Sequence, residues 1–370
     1  MFDATTLAAI ADELNEKILR GRVQEIVPLD ALTFGLEIYA QHARHYVYVT
    51  AHPDDARVHL VSQKLRGGGE TPSPFLLLLR KYAEGAFVDS VAPLPNERVL
   101  KVQFDHAVEG VSTLVVETIG IYANLILVDA GGTVIDALKR VPSTINRART
   151  ILPRHAYAPP PPQSKFSPRE LTPSDLVQVL AENRGAPLWQ ALVKSVAGVS
   201  PLLAREIEHR VPPSSSETQR AQELWGTLRS LVCPPWQPTV AFEEGEPAAF
   251  APYTLTQLAD ARPFDSISAA IEAFYGAPES YAAVKEPLRA RIAEARDRLA
   301  RKRDALAESL PSAEEVERLK ASGEWILASA AQITPGQDAL TVEREDGRLE
   351  IPLNPQLSAV ENAQRYFKEY

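Results

Sequence analysis

The sequence predicts an α+β fold at its N-terminal end, followed by a helical module and a coiled-coil arm. Three observations carry this expectation. Apolar residues recur at helical spacing over 4–19 and again over 73–84, whereas the segments between and after them alternate with a period of two. A polyproline run from Pro159 to Pro162 then marks an extended spacer, with short helices beyond it. From about residue 278 the apolar spacing tightens to near 3.5, with charges between.

Leu7, Ile10, Ala11, Leu14 and Ile18 share one face of the first helix, with Asp3 at its N-cap position and Gly21 as its stop. Arg22–Pro28, Thr33–Tyr39, Tyr46–Thr50 and Arg57–Ser62 read as strands. Gly67-Gly68-Gly69 reads as a loop, and Ser73–Glu84 as a helix ended by Gly85. Phe87–Val91, Arg98–Phe104, Ser112–Thr118 and Asn124–Asp129 follow as strands, and Gly131-Gly132 turns the chain into Val134–Ile135. Two packed antiparallel sheets flanked by two helices therefore account for residues 1–157.

Residues 158–172 form the Pro-rich linker, and residues 173–235 a set of four helices. Within that set, Pro187–Ala197, the turn Gly198-Val199-Ser200-Pro201 and Leu202–Arg210 have the order of a helix–hairpin–helix unit. Its turn and second helix start can hold a phosphate; the same pattern also serves as an ordinary packing turn. Residues 236–277 contribute strands Pro238–Phe242 and Ala249–Thr254, expected to return to the first domain's sheet, and a helix Ser266–Tyr275. Residues 278–370 carry the arm, with Leu288, Ile292, Ala295, Leu299 and Leu306 as its seam. Pro311 interrupts it, Ala313–Ala331 resumes, and a hairpin forms around Asp346-Gly347. The final run opens another helix and stops, which reads as a second arm cut short.

A length of 370 residues gives ample chain for a core, and 45% hydrophobic with 24% charged residues is ordinary for a globular protein. The single Cys233 excludes a disulfide framework or a Cys-rich zinc site. Asp3, Asp12 and Glu13 interrupt what a signal peptide would leave apolar, and no run approaches membrane-spanning length, so the expected location is the cytoplasm. A net charge of −9 argues against a general polyanion binder, but charge is unevenly placed. Residues 137–156 contain no acid, against the bases Lys139, Arg140, Arg147, Arg149 and Arg154, which points to phosphate contact. The helix from Lys285 to Arg303 is also rich in base, and there a solvated face explains the charges equally well.

No catalytic constellation emerges. Cys233 sits beside a proline with no motif around it, and His52 and His59 have no zinc spacing. Neither a metal nor a cofactor is expected, and the chain does not read as an enzyme. Recognition is the alternative: Glu97 and Arg98 open a strand at a sheet edge, where a guanidinium suits a phosphate or a base and the carboxylate can orient it. A surface ion pair is the competing account of the same two residues.

The ordered set of motifs is specific. It runs from Phe2-Asp3 through Leu19-Arg20-Gly21-Arg22-Val23, the His52–Leu60 segment, Ser73–Gly85, Glu97-Arg98 and the Glu117–Asp129 segment. It continues to the basic stretch ending in prolines and the terminal ENAQRYF. In this order the motifs resemble the NFACT family over the entire chain. The resemblance implies a ribosome-associated quality-control factor that binds a large ribosomal subunit obstructed by peptidyl-tRNA. It implies recruitment of tRNA, alanyl-tRNA in bacteria, for C-terminal tailing of the stalled chain, with peptide bonds made by the ribosome. By position it implies tRNA-binding roles for Asp3, Glu97 and Arg98, and an N-terminal fold similar to that of formamidopyrimidine-type DNA glycosylases, without their activity.

Three departures from the family pattern stand out. Glu97 replaces an aspartate, Ile121-Tyr122 replaces an Arg-His pair, and the family's C-terminal domain is not expected in this sequence, so tailing by this piece alone is not expected. The alternative is an RNA- or ribosome-binding module of the same fold without tailing activity. A glycosylase is disfavoured by the Met1-Phe2-Asp3 start and the single cysteine, and a surface adhesin by the absence of an anchor. Neither DNA nor a membrane is an expected partner.

Overall fold

Asp3 opens the first helix, α1 (Ala4–Ile18), by accepting the Thr6 amide on Oδ1 at 2.8 Å. The computed structural model describes residues 2–67, 72–147, 149–213, 216–277, 281–309, 312–344 and 347–369. Gly68 and Gly69 of the expected loop, Ser214 and Ser215, Pro278, Pro311 and Asp346 lie outside the described residues, as do the side chains of Lys285, Glu286, Leu288 and Arg289.

After α1 come β1 (Arg22–Asp30), β2 (Thr33–Ala40), β3 (Ala43–Thr50) and β4 (Arg57–Val61), then α2 (Pro74–Ala83). Next are β5 (Phe87–Pro93), β6 (Val99–His106), β7 (Gly110–Glu117), β8 (Asn124–Asp129) and β9 (Val134–Ala137). The expected two sheets are one. The nine strands run in the order β4-β3-β2-β1-β5-β6-β7-β8-β9, all antiparallel, and the halves meet where Arg22 of β1 pairs Phe87 of β5. Backbone bonds from Val88 to Gly21 and from Val23 to Ala86 continue that junction past the helix stop, which period-two reading alone does not register.

One face of this sheet packs on both helices. Leu7, Ile10, Leu14 and Ile18 of α1 and Phe75, Leu76 and Leu79 of α2 join Ile26, Ile38, Phe104, Leu114 and Leu127 in the main core. Full burial of each such side chain contributes about 1.5–3 kcal/mol. On β7 and β8 the other face is buried too: Val115, Ile126 and Val128 pack with Ile151, Val141 and Tyr157. The basic segment after β9 thus acts as a cover, held by bridges Val141–Ile151 and Thr133–Ala156.

The helical module comprises α3 (Pro173–Glu182), α4 (Leu188–Ser195), α5 (Pro201–Arg210) and α6 (Glu217–Val232). Thr172 and Asp175 form a capping box on α3, and Ser200 caps α5. The strands β10 (Thr239–Glu243) and β11 (Glu246–Ala251) do not return to the large sheet. With an unanticipated third strand, β12 (Asp260–Pro263), they form a separate sheet in the order β11-β10-β12. Its alternation serves two cores: Val240 and Phe250 join the main core, while Ala241 and Ala251 join that of the helical module. The helix α7 (Ile267–Tyr275) packs against β11 and β4, and its Ser268 hydroxyl accepts the Leu60 amide at 3.0 Å.

Residues 1–285 form one compact unit and 286–370 another. The helix α8 (Tyr281–Ser309) is the long helix expected; Ile292 and Leu299 of its seam are exposed. In the second unit α9 (Ala313–Ala328), the hairpin β13 (Ala339–Arg344) and β14 (Gly347–Pro352), and α10 (Ala359–Glu369) enclose a small core around Ile326, Leu340, Ile351 and Ala363. The Phe367 ring lies so close to Gly323 that a β-carbon there would stand 2.8 Å from it. The final helix, read from sequence as an unfinished arm, therefore packs on α9 within this unit.

Candidate nucleic-acid interface

The turn that presents Glu97 and Arg98 follows from Leu94-Pro95-Asn96-Glu97. Proline presets the first corner, Asn96 takes a left-handed φ of 61°, and the Glu97 amide closes back on the Leu94 carbonyl at 3.1 Å. The Arg98 carbonyl then accepts the Thr118 amide at 2.9 Å, which fixes the backbone from which its side chain projects.

Against this turn sits the turn between α4 and α5. Gly198 has a φ of 74°, and a β-carbon there would meet the Asn96 backbone and Ala4 at 3.2 Å, so only glycine allows the approach. Ser200 accepts the Leu203 amide and donates its hydroxyl to Asp3 Oδ2 at 2.6 Å. One buried carboxylate thereby serves the N-terminal ends of two helices, directly for α1 and through Ser200 for α5. The anion expected at the start of α5 is supplied from within the protein.

Between the two turns lies a cleft of about 370 Å³ lined by Asp3, Glu97, Arg98, Ser200, Gln163 and Ile119, among others. Its volume falls in the range that encloses a small organic group such as a nucleotide. The three sequence-selected residues Asp3, Glu97 and Arg98 converge here. Burial pushes the Glu97 carboxyl above its ordinary value, opposed by the Gln163 hydrogen bond at 3.3 Å and by the charges of Arg98 and Lys165. The Arg98 guanidinium makes no hydrogen bond or ion pair with the described residues, so its donors remain available in a cleft that also holds two carboxylates. Such a site offers acceptors for amines and hydroxyls, and a planar cation for a phosphate or base.

The five basic residues of 137–156 do not share one role. Lys139 donates to the Ala51 carbonyl at 2.8 Å, and burial lowers its pKa. Arg140 is bidentate on Asp136 at 2.9 and 3.1 Å. Arg149 is largely buried and bidentate on the buried Glu117, which also accepts the Tyr157 hydroxyl at 2.8 Å. Arg147 and Arg154 are exposed. Ile121 and Tyr122 stand out into solvent on a short turn beside Ile119, each about 70% exposed. Gln163 and Asn96 carry no local signal in the sequence; Ser200 enters there only within the turn Gly198-Val199-Ser200-Pro201, because its partner Asp3 is not local.

The family description "NFACT N-terminal and middle domains" matches residues 3–370. The chain belongs to the NFACT family. Its relatives include the Rqc2 homolog RqcH of Bacillus subtilis, 31% identical over 382 residues, and that of Streptococcus pneumoniae serotype 2, 24% identical over 380. Both alignments cover 100% of this NFACT chain, which spans 66% of the length of each relative. Among solved structures, the N-terminal part of the fibronectin/fibrinogen-binding protein of Streptococcus suis matches with a TM-score of 0.64 at 24% identity, covering 74% of this chain and 99% of that one. The fibrinogen-binding protein of Staphylococcus aureus matches equally, with a TM-score of 0.64 at 24% identity over 75% of this chain and 99% of its own. These two likenesses concern the fold. Among the described residues, no helix is long and apolar enough to cross a membrane.

Proposed function

We propose that this chain is a ribosome-associated quality-control factor that binds the large subunit obstructed by peptidyl-tRNA and recruits tRNA to it. In this reading the ribosome makes the peptide bonds, and the protein acts in the cytoplasm as an elongation-factor-like RNA-binding module rather than as an enzyme. The observation that carries it is the convergence of Asp3, Glu97 and Arg98 on one cleft in which Arg98 is uncommitted. Family membership and the Rqc2-homolog relatives support the same reading. Asp3 holds the two turns together, Glu97 accepts hydrogen bonds from the RNA, and Arg98 bonds its phosphate or stacks on a base. Arg147 and Arg154 add backbone contacts; Lys139, Arg140 and Arg149 mainly brace the cover on which they sit. The α4–turn–α5 unit is read as the helix–hairpin–helix, acting here through Ser200 rather than through a bare phosphate nest.

The test is co-sedimentation with purified large subunits carrying peptidyl-tRNA, with empty subunits and intact ribosomes as controls, for the wild type and Arg98→Ala. Selective pelleting of the wild type with the obstructed subunit, and loss of co-pelleting tRNA in the variant at unchanged stability, is the expected result. Equal binding to all three particles would refute subunit selectivity. Normal tRNA capture by the variant would refute the role of Arg98.

A further inference from the structure

We propose a second RNA site on the open face of the large sheet, a platform of two aromatic rings and interleaved arginines that takes adjacent bases of a single strand. Cross-strand register places Arg44, Tyr39, Arg22, Phe87 and Asp105 opposite one another on β3, β2, β1, β5 and β6. Directly opposed residues share a face, so these five side chains form one line across the sheet: cation, ring, cation, ring, anion. Their sequence neighbours Val23, Ile38, Val88 and Phe104 are buried in the core on the other side. The row itself faces solvent, with Tyr39 46% and Phe87 51% exposed.

At one end of the row Arg44 is held by an ion pair to the buried Glu37 at 2.7 Å, so the part the fold uses least is its centre, Tyr39, Arg22 and Phe87. The Arg22 Nε donates to the Gly85 carbonyl at 3.1 Å, and the cation–π stacks among the described residues all involve other rings. Both ring faces are therefore free of a stacked cation. Arg20, ion-paired with Asp89 at 3.0 Å, and His42 line the same shallow cleft of about 440 Å³. The β2–β3 turn that carries His42 is a two-residue loop in which Gln41 and His42 both hold left-handed φ values, 50° and 61°. Asparagine and glycine are the residues favoured in such a turn, so this sequence accepts backbone strain at the edge of the platform.

Strand spacing of about 4.8 Å sets the two rings about 10 Å apart with Arg22 between them. That arrangement suits two bases on the rings and a connecting phosphate on the guanidinium; sheet-borne aromatics serve single-stranded RNA in the same manner elsewhere. The guanidinium of Arg22 between the two rings, without a carboxylate partner among the described residues, favours a polyanion with flat bases over an apolar peptide. Asp105 lies six positions along β6 from Val99, the residue after Arg98, about 20 Å, so the platform is separate from the cleft and does not depend on its assignment.

The probe is a fluorescein-labelled uridine hexamer, compared with an abasic hexamer of equal charge, read by fluorescence anisotropy on the full chain. The hexamer should bind the wild type at least tenfold more tightly than the abasic strand. Tyr39→Ser with Phe87→Ser should lose at least tenfold in affinity with circular dichroism unchanged. Arg22→Gln should weaken binding and reduce the slope of log affinity against log salt by about 0.7. Arg98→Ala should bind the hexamer as the wild type does. The proposal is overturned if the wild type does not bind the hexamer, if the abasic strand binds equally, or if only Arg98→Ala loses binding. The abasic comparison uses the wild type, so it decides even if the double variant fails to fold.

Discussion

The Ser200 hydroxyl reaches Asp3 Oδ2 at 2.6 Å across 197 positions of sequence, while Asp3 Oδ1 caps the first helix. Each residue alone is an ordinary N-cap. Together they tie the start of the chain to the helical module and fix one wall of the cleft.

Ser200→Ala should therefore cost more than a cap alone. It removes the cap of α5 and leaves a buried carboxylate oxygen without its donor, together about 2 kcal/mol. Ser200→Thr should retain most of that stability. Urea unfolding midpoints at constant slope would measure both; an alanine variant as stable as the wild type would show that the tie contributes nothing.

Glu97 has a raised pKa in the fold, chiefly through burial, so its sign is opposite to that of an ion-paired carboxylate. Its contribution to stability is fully present below the unfolded value and is lost as pH rises through the folded value, which lies above 4.5. Glu97→Gln should thus be slightly more stable than the wild type at neutral pH. If the ionised carboxylate engages RNA, tRNA capture by the wild type should rise with pH through the same window. Glu97→Gln should show no such step. Filter binding across that pH range would read it.

Arg149→Ala should act on the fold. Removing one partner of a buried ion pair strands Glu117, and the Tyr157 hydroxyl alone does not neutralise it, so a loss of about 3 kcal/mol or more is expected. Arg147→Ala, at an exposed position, should stay within about 0.5 kcal/mol of the wild type and instead weaken RNA binding. Thermal melts beside tRNA affinity measurements would separate the two roles.

His59 is buried, and that burial, helped by the Arg57 charge and opposed by the Leu60 carbonyl, lowers its pKa from 6.5 to about 3. The neutral imidazole is the folded form, so its contribution is present above pH 6.5 and is lost as pH falls from 6.5 towards 3. The slope it adds is at most about 1.4 kcal/mol per pH unit. His59→Gln should flatten the acid side of the stability curve in that window, as urea titrations at successive pH values would show.

What could be read from the sequence was what is local. The faces of α1 and α2, the cap at Asp3, and the period-two strands rest on neighbours within a few positions, and all are found in the fold. The joining of two strand groups into one sheet depends on Arg22 meeting Phe87, a pairing that no local pattern encodes. The short strand β12 lacks an apolar alternation because its residues are mostly exposed. The basic stretch misled in part for a related reason: the carboxylate that engages Arg149 is Glu117, 32 positions away. Asp3, Glu97 and Arg98 were found by motif order, whereas Ser200 and Gln163 enter the cleft through tertiary packing.

The small sheet β11-β10-β12 has a consequence for how the protein is made. Its Phe250 packs on Phe2, with ring centres 6.1 Å apart, and Trp236 donates to Asp12 at 2.8 Å. Phe2 and Asp12 thus wait for residues 236 to 250 before their core can close, and α7 must emerge before the Leu60 amide gains its bond to Ser268. Translation pauses or truncations ahead of that point would release an N-terminal segment with an open apolar face, a natural client for chaperones. The polyproline spacer, which looks like a place to divide the chain, is therefore a poor boundary at which to express its halves separately.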